Sequence, residues 1–271
     1  MKQGIDVSKW QPKVDWQKVK ADGIDFAIIR IGYCYNNGAL KLDSAFTQHI
    51  KGALAAGLDV GIYLYSYATT VQAAKRAAQE VIKAVKPYKL SYPIAFDIEY
   101  ESIYTGGNKQ TNTDICKAFL DEIEAAGYYA MLYCSKDFLD NYLYPAQLTA
   151  YDKWIAQYAS KCTCKHPYGI WQYTGTGKVN GINGNVDRDI SYKDYPTIIA
   201  KMNKQQNPQK FKLPYTVIVS NGNVQELSKR GYFAFTSENK CCVGKFATQQ
   251  EAEITQRDLV TKGYSCHVGR W

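Results

Sequence analysis

Residues 93–99 read Pro-Ile-Ala-Phe-Asp-Ile-Glu: an apolar run that ends in two acids. A short continuous apolar run is the pattern of a strand buried on both faces. On a strand, Asp97 and Glu99 lie two apart and project from the same side. An unpaired charge in a buried strand is costly, so acids placed there mark chemistry. Two converging carboxyls are what glycoside hydrolysis requires. The pattern recurs in GNVDRDI (184–190), which carries Asp187, and in GIDV (4–7), which carries Asp6.

Working outward, short apolar runs alternate with helical periodicity as far as residue 173. Strands are expected at 4–7, 26–31, 60–65, 94–98, 130–134, 154–157, 170–173 and 186–190. Helices are expected at 15–21, 44–56, 71–85, 113–126 and 135–142, with glycine stops at Gly57 and Gly127. Apolar strands alternating with helices predict an α/β fold whose parallel sheet is covered on both faces. Eight strands point to a (β/α)8-type barrel, with an open doubly wound sheet as the alternative. Barrel enzymes work at the C-terminal ends of their strands. Asp6, Asp97, Glu99 and Asp187 are all expected late in a strand. Tyr33, Tyr65, Tyr67, Gln157, Tyr158, Trp171 and Gln172 fall at the same end and are the candidate substrate contacts.

The pattern breaks at NKQQNPQKFK (203–212), a polar, proline-containing linker. Residues 213–271 then read strand–helix–strand–strand–helix–strand, a small α+β module of βαββαβ order. The helix at 248–262 opens with a T-x-x-E capping pattern.

Bulk properties bound the partners. The chain has 271 residues, 46% of them hydrophobic, and 23 tyrosines. That is enough for one large and one small core and excludes disorder. Tyrosine pairs a flat apolar face with a hydroxyl, which suits sugars. Net charge is +8, and the 10 basic and 5 acidic residues of 203–271 account for +5 of it. Such an excess favours polyanions, an anionic wall polymer among them. A basic stripe interleaved with aromatics is missing, which argues against nucleic acid. No run approaches the ~20 apolar residues of a membrane span, so no membrane insertion is expected. Of eight cysteines, Cys34, Cys116 and Cys134 sit in apolar periodic segments and read as core thiols. Cys162, Cys164 and His166 supply three donors without a fourth or a zinc spacing, so no metal is expected. No cofactor is indicated.

Residues 1–202 closely resemble the glycoside hydrolase family 25 muramidases, the Chalaropsis-type lysozymes. The resemblance is carried, in order, by GIDVSKWQ (4–11), DFAIIRIGY (25–33), AAGLDVGIYLYSYA (55–68), PIAFDIE (93–99), WIAQY (154–158), GIWQYT (169–174) and GNVDRDI (184–190). The family usually reads VDLN where this chain reads Val186-Asp187-Arg188-Asp189. It implies cleavage of the β-1,4 bond between N-acetylmuramic acid and N-acetylglucosamine in bacterial peptidoglycan. In that chemistry Glu99 is the proton donor, its pKa intrinsically higher and raised further by the neighbouring acids. Asp97 stays ionised, as nucleophile or as stabiliser of a cyclic intermediate formed by the substrate's N-acetyl group. Asp6 and Asp187 position groups and tune the field. Residues 213–271 resemble a SPOR-type peptidoglycan-binding module through the βαββαβ order, CCVGKFATQQEAE and KGYSCHV. No secretory signal precedes GIDVSKWQ. The expectation is a phage endolysin held in the host cytoplasm until release to the wall; an autolysin acting outside the cell, its leader removed, is the alternative.

Overall fold

Continuous apolar strands have to be covered on both faces, and here they are covered by closing on themselves. In a computed structural model, which describes residues 1–101, 108–206, 215–246 and 249–270, the strands are β1 (Lys2–Val7), β2 (Phe26–Cys34), β3 (Leu40–Leu42), β4 (Asp59–Ser66), β5 (Ile94–Asp97), β6 (Ala130–Ser135), β7 (Asp152–Ala156), β8 (Ile170–Gly177) and β9 (Val186–Ser191). Eight of them form a closed barrel in the order β1-β2-β4-β5-β6-β7-β8-β9, and β3 extends β2 as an antiparallel flap.

Helices α1 (Trp16–Ala21), α2 (Phe46–Ala55), α3 (Val71–Val85), α4 (Lys109–Ala125) and α5 (Lys136–Tyr142) follow successive strands. Their starts are set locally: Asp15, Thr70, Asn108 and Ser135 each accept a hydrogen bond from a backbone N–H of the first turn. Gly57 (φ +73°) and Gly127 (φ +89°) end α2 and α4 in the left-handed conformation. The Asn108 cap starts α4 four residues earlier than its apolar periodicity suggests.

Two departures from the expected repeat matter. No helix separates β7 from β8 or β8 from β9, and β9 runs antiparallel to both β8 and β1. Asp187 is therefore near the start of its strand, not late in it. An antiparallel strand begins at the end where its neighbours finish, so the residue still reaches the mouth. The antiparallel strand also delivers the chain to the opposite end of the barrel. There a helix that the periodicity did not reveal, α6 (Tyr195–Gln206), inserts Tyr195 and Ile199 among Phe26, Ile28, Tyr92, Ala95, Met131, Trp154 and Ile170. These residues fill the barrel floor. Tyr195 Oη donates to Asp152 Oδ2 at 2.6 Å, which ties α6 to the first residue of β7. A second, larger core lies between strands and helices and includes Cys34, Cys116 and Cys134.

Helix α6 covers the first four residues of the expected linker; residues 207–212 lie outside the described residues. By contact the chain divides into units of 1–203 and 204–271. The second unit has strands β10 (Tyr215–Val219), β11 (Ala234–Ser237), β12 (Lys240–Phe246) and β13 (Cys266–Arg270) in the antiparallel order β11-β12-β10-β13. Helices α7 (Val224–Lys229) and α8 (Gln249–Thr261) bury Leu227, Ala252 and Leu259 against Val217, Val219 and Val243 on one face of that sheet. The start of the expected capping pattern, Thr248, lies outside the described residues.

Gly4 tests the floor packing. A Cβ built there would meet the Phe26 ring at 2.1 Å, and that ring already stacks on Tyr92 at 4.3 Å. Gly4→Ala should destabilise by about 1–3 kcal/mol, as overpacked cores do. Urea unfolding followed by circular dichroism measures it.

Candidate active site

Strand alternation decides which side chains enter the barrel. Asp6 from β1, Asp97 from β5, Gln172 from β8 and Asp189 from β9 are all buried, and hydrogen bonds tie them into one network. Gln172 Nε2 donates to Asp6 Oδ2 at 2.7 Å. Gln172 Oε1 accepts from Tyr133 Oη at 2.9 Å and from Tyr158 Oη at 3.2 Å. Tyr158 Oη also lies within hydrogen-bonding reach of Asp187, so its single proton serves one acceptor or the other; Asp187 is the cross-strand partner of Asp6. Trp154 Nε1 donates to Asp189 Oδ1 at 2.8 Å.

Glu99 stands just beyond β5, half-buried, and its carboxyl hydrogen-bonds with that of Asp97. Two ionised carboxylates in contact repel, so this contact favours a proton shared between them. Among the described residues Asp97 Oδ1 meets no N–H or hydroxyl donor. Burial pushes Asp97 well above the ordinary carboxylate range, Glu99 pushes it further, and the Arg30 charge opposes both. Burial is likewise the first cause of the rise at Glu99, followed by the Glu101 and Asp187 charges, while the Asp97 hydrogen bond lowers it. At both acids desolvation outweighs neighbouring charge. The physical reason is depth: Asp97 is 2% exposed, where any charge loses its hydration. Asp6 and Asp187 are also raised, by burial first.

Beside this cluster opens a cleft of about 820 Å³ lined by Lys9, Trp10, Arg30, Tyr33, Tyr35, Asn36, Tyr65 and Tyr67. It adjoins the carboxyls, because Tyr65 pairs with Asp97 across β4 and β5. Arg30 and Tyr33 share the cleft although they stand three apart, an odd spacing that on a regular strand would put them on opposite faces. A register shift between Arg30 and Gly32 makes this possible by re-aiming the strand. Only glycine fits at that point, since a Cβ on Gly32 would lie 2.0 Å from Lys41 O. Arg30 is held by Asp43, whose Oδ2 accepts from its Nε and Nη2, both at 2.7 Å.

Of the expected contacts, Tyr33, Tyr65 and Tyr67 line the cleft, and Tyr158 and Gln172 join the carboxylate network. Two are placed elsewhere. Trp171 neighbours Gln172 on a strand and must face the other side; its Nε1 donates to Gln157 O at 2.8 Å. The Gln157 side chain is spent on Thr163, donating to Oγ1 at 2.9 Å and accepting from the backbone N at 2.8 Å. Sequence reasoning missed Tyr133, Arg30 and Asp189. The last was findable, because Asp187 and Asp189 stand two apart just as Asp97 and Glu99 do. His166 turns to Asp140, at 3.4 Å, and among the described residues no three donors gather to hold a metal.

A closed barrel with paired carboxyls at its mouth and an aromatic cleft beside them is built as a glycoside hydrolase. The chain belongs to the family described as glycosyl hydrolases family 25, whose model matches residues 5–182. It is similar to the autolytic lysozyme of Clostridium acetobutylicum, 27% identical over 187 residues, which are 69% of this chain and 54% of that protein. The modular autolysin LytC from Streptococcus pneumoniae, solved in complex with a synthetic peptidoglycan ligand, superposes with a TM-score of 0.62 at 31% identity over 70% of this chain and 46% of that one. The catalytic domain of endolysin ply40 from bacteriophage P40 of Listeria monocytogenes gives 0.61 at 25% identity over 73% of this chain and 97% of that one. The chain thus spans about half the length of the first two.

Carboxyls whose pKa is raised by folding bind protons in the native state that the unfolded chain has already lost. Stability therefore falls as pH climbs from the ordinary carboxylate range, near pH ~4, through the raised values. Asp97→Asn removes one such group and gives Glu99 an N–H donor. It should be more stable than wild type by about 1 kcal/mol or more at neutral pH, with the difference vanishing in acid. Thermal unfolding between about pH 4 and pH 7 checks the sign.

Proposed function

We propose that this protein is a muramidase that cleaves the β-1,4 bond between N-acetylmuramic acid and N-acetylglucosamine in peptidoglycan, with retention of configuration. The observation that carries this reading is the carboxyl pair Asp97 and Glu99, both raised by burial, at the edge of an aromatic cleft. Glycoside hydrolysis needs one carboxyl protonated and one ionised at the same bond, and a pair sharing one proton is in that state before substrate arrives. Glu99 is the less buried of the two and the one positioned to hand its proton to the leaving oxygen. Asp97, left charged in the barrel wall, then stabilises the cationic centre that develops at C1. It does so either as nucleophile or by orienting the substrate's own N-acetyl oxygen. Asp6 and Asp187 act through Gln172 and Tyr158, holding the network and its field. Tyr33, Tyr65 and Tyr67 stack on sugar rings. A wall-binding protein without activity has no use for so many buried acids, whose desolvation costs stability.

Family membership and the likeness to an autolysin and to an endolysin catalytic domain support a role in wall lysis. Within that role the setting we propose is that of an endolysin, released from the host cytoplasm to the wall; the likeness to the ply40 domain supports it.

For residues 213–271 we propose a SPOR-like module that holds the enzyme on the wall. The helix-free face of its sheet carries Ile218, Phe235, Lys240 and His267. Phe233, 67% exposed, packs its ring against Phe235. Aromatic and basic groups together suit a glycan strand or an anionic wall polymer.

Glu99→Gln should lose at least about 100-fold in kcat with its circular dichroism intact, because the amide has no proton to give. The assay is release of reducing ends from purified peptidoglycan. Mass spectra of the products should show reducing muramic acid; reducing glucosamine would refute the bond assigned.

A chain ending after residue 206, which preserves α6 in the barrel floor, should retain its rate on short soluble muropeptide chains. It should lose lytic rate on intact walls, since tethering raises local substrate concentration without altering chemistry. The full chain's advantage should shrink with salt to the extent that charge attraction contributes. Turbidity assays on sacculi at low and high salt compare the two.

A further inference from the structure

Tyr100 follows Glu99 directly, yet it belongs neither to the cleft nor to the carboxylate network. Its side chain is 44% exposed, and its orientation is set. The hydroxyl donates to the Asp137 carboxylate on α5. Asp137 is itself pinned, its Oδ1 accepting from Asn141 Nδ2 at 2.8 Å. The Tyr100 ring meets two rings of the same helix nearly at right angles, Phe138 with centroids 5.5 Å apart and Tyr142 with centroids 5.2 Å apart. Phe138 is fully buried and stacks on Tyr142 at 5.2 Å. Tyr142 is 38% exposed. Two partly open rings are thus fixed against one buried ring.

Barrel order says where they lie. The strands run β2-β4-β5-β6 around the mouth. The cleft tyrosines Tyr33, Tyr65 and Tyr67 come from the ends of β2 and β4, Glu99 stands just beyond β5, and α5 follows β6 at once. Tyr100 and Tyr142 therefore flank Glu99 on the side away from the cleft. A polymer cut in its interior has sugars on both sides of the broken bond, and the cleft accounts for one side. We propose that Tyr100 and Tyr142 form a second saccharide platform, which holds the chain where it continues past Glu99 away from the cleft and so makes the enzyme prefer long glycan strands. This rests on the reading that the protein cleaves the glycan of peptidoglycan.

A side chain that is ordered before its ligand arrives loses little freedom on binding. The Asp137 hydrogen bond and the Phe138 packing give these two rings that order, and a flat apolar face beside a hydroxyl suits a sugar. A platform of this kind tightens the binding of chains that reach it and leaves proton transfer at Glu99 alone. Its signature is therefore in KM and in chain length. A cluster that merely supported the end of β5 would lower kcat on every substrate alike.

Tyr142→Ala is the decisive variant, because it removes one ring without altering the backbone beside Glu99. On long soluble glycan strands its KM should rise about tenfold with a much smaller change in kcat. On chains too short to extend past the carboxyls the rise in KM should be far smaller. Tyr142→Phe, which keeps the ring, should recover most of the loss. Tyr192→Ala removes a ring of similar exposure just past β9, at the opposite end of the barrel, and should change neither constant. A readout independent of turnover is calorimetric binding of peptide-free glycan strands of increasing length to the full chain carrying Glu99→Gln. Affinity should climb as the strands lengthen, and adding Tyr142→Ala should remove about tenfold of that gain. The second unit is present in both proteins, so whatever it binds cancels in the difference. Equal affinities of the single and double variants at every length overturn the platform, and so does a fall in kcat that is the same on short and long chains. A wild type that releases no reducing ends counts against the proposed function instead, and the calorimetric comparison still decides this inference.

Discussion

The antiparallel pairing of β1 with β9 is the contact on which the rest of this structure depends. Without it the sheet would be an open ribbon with two edges, and Asp6 would lie on an exposed one. With it, the parallel strands close and their interior fills. The same pairing sets Asp6 opposite Asp187 and Gly4 opposite Asp189. It is also what returns the chain to the far end of the barrel, where α6 seals the floor with Tyr195 and Ile199. Closure, floor and carboxylate cluster follow from one strand running the other way.

Closure has an electrostatic consequence. Asp6, Asp97, Asp187, Asp189 and Glu99 are gathered at one end of a barrel whose interior is otherwise apolar, and burial raises all five. Such a site tolerates protons better than charge. The contacts that hold it are acid–acid contacts sharing protons and neutral donors: Gln172, Trp154 and Tyr158. Arg30, which opposes the rise at Asp97, is itself neutralised by Asp43. The apolar packing of the floor and of the helix–strand layer offsets what the acids cost.

The second unit follows a different logic. Its sheet covers one face with α7 and α8 and leaves the other to solvent, a construction that presents a flat surface with no catalytic depth.

Much of this was legible in the residues. Local rules suffice where a feature depends on near neighbours. Alternation puts Asp97 and Glu99 on one face, side-chain caps start α1 and α3, glycines end α2 and α4, and unbroken apolar runs require a covered parallel sheet. The four acids and the tyrosines Tyr33, Tyr65 and Tyr67 could be assigned to one mouth on that basis. Other features depend on partners distant in the chain, and these only the tertiary structure decided. The direction of β9 follows from the seam it closes, and the start of Asp187's strand reaches the mouth for that reason alone. Helix α6 has weak amphipathicity of its own and becomes intelligible only as the floor of a closed barrel. Trp171 and Gln157 fall at the strand ends expected to form the mouth, but a strand shows the interior only every second side chain, and the Gln157 amide is taken by Thr163. Protonation is the last of these. Intrinsic pKa values and neighbouring charges can be read from a sequence, whereas the depth that strips Asp97 and Asp189 of water belongs to the folded barrel.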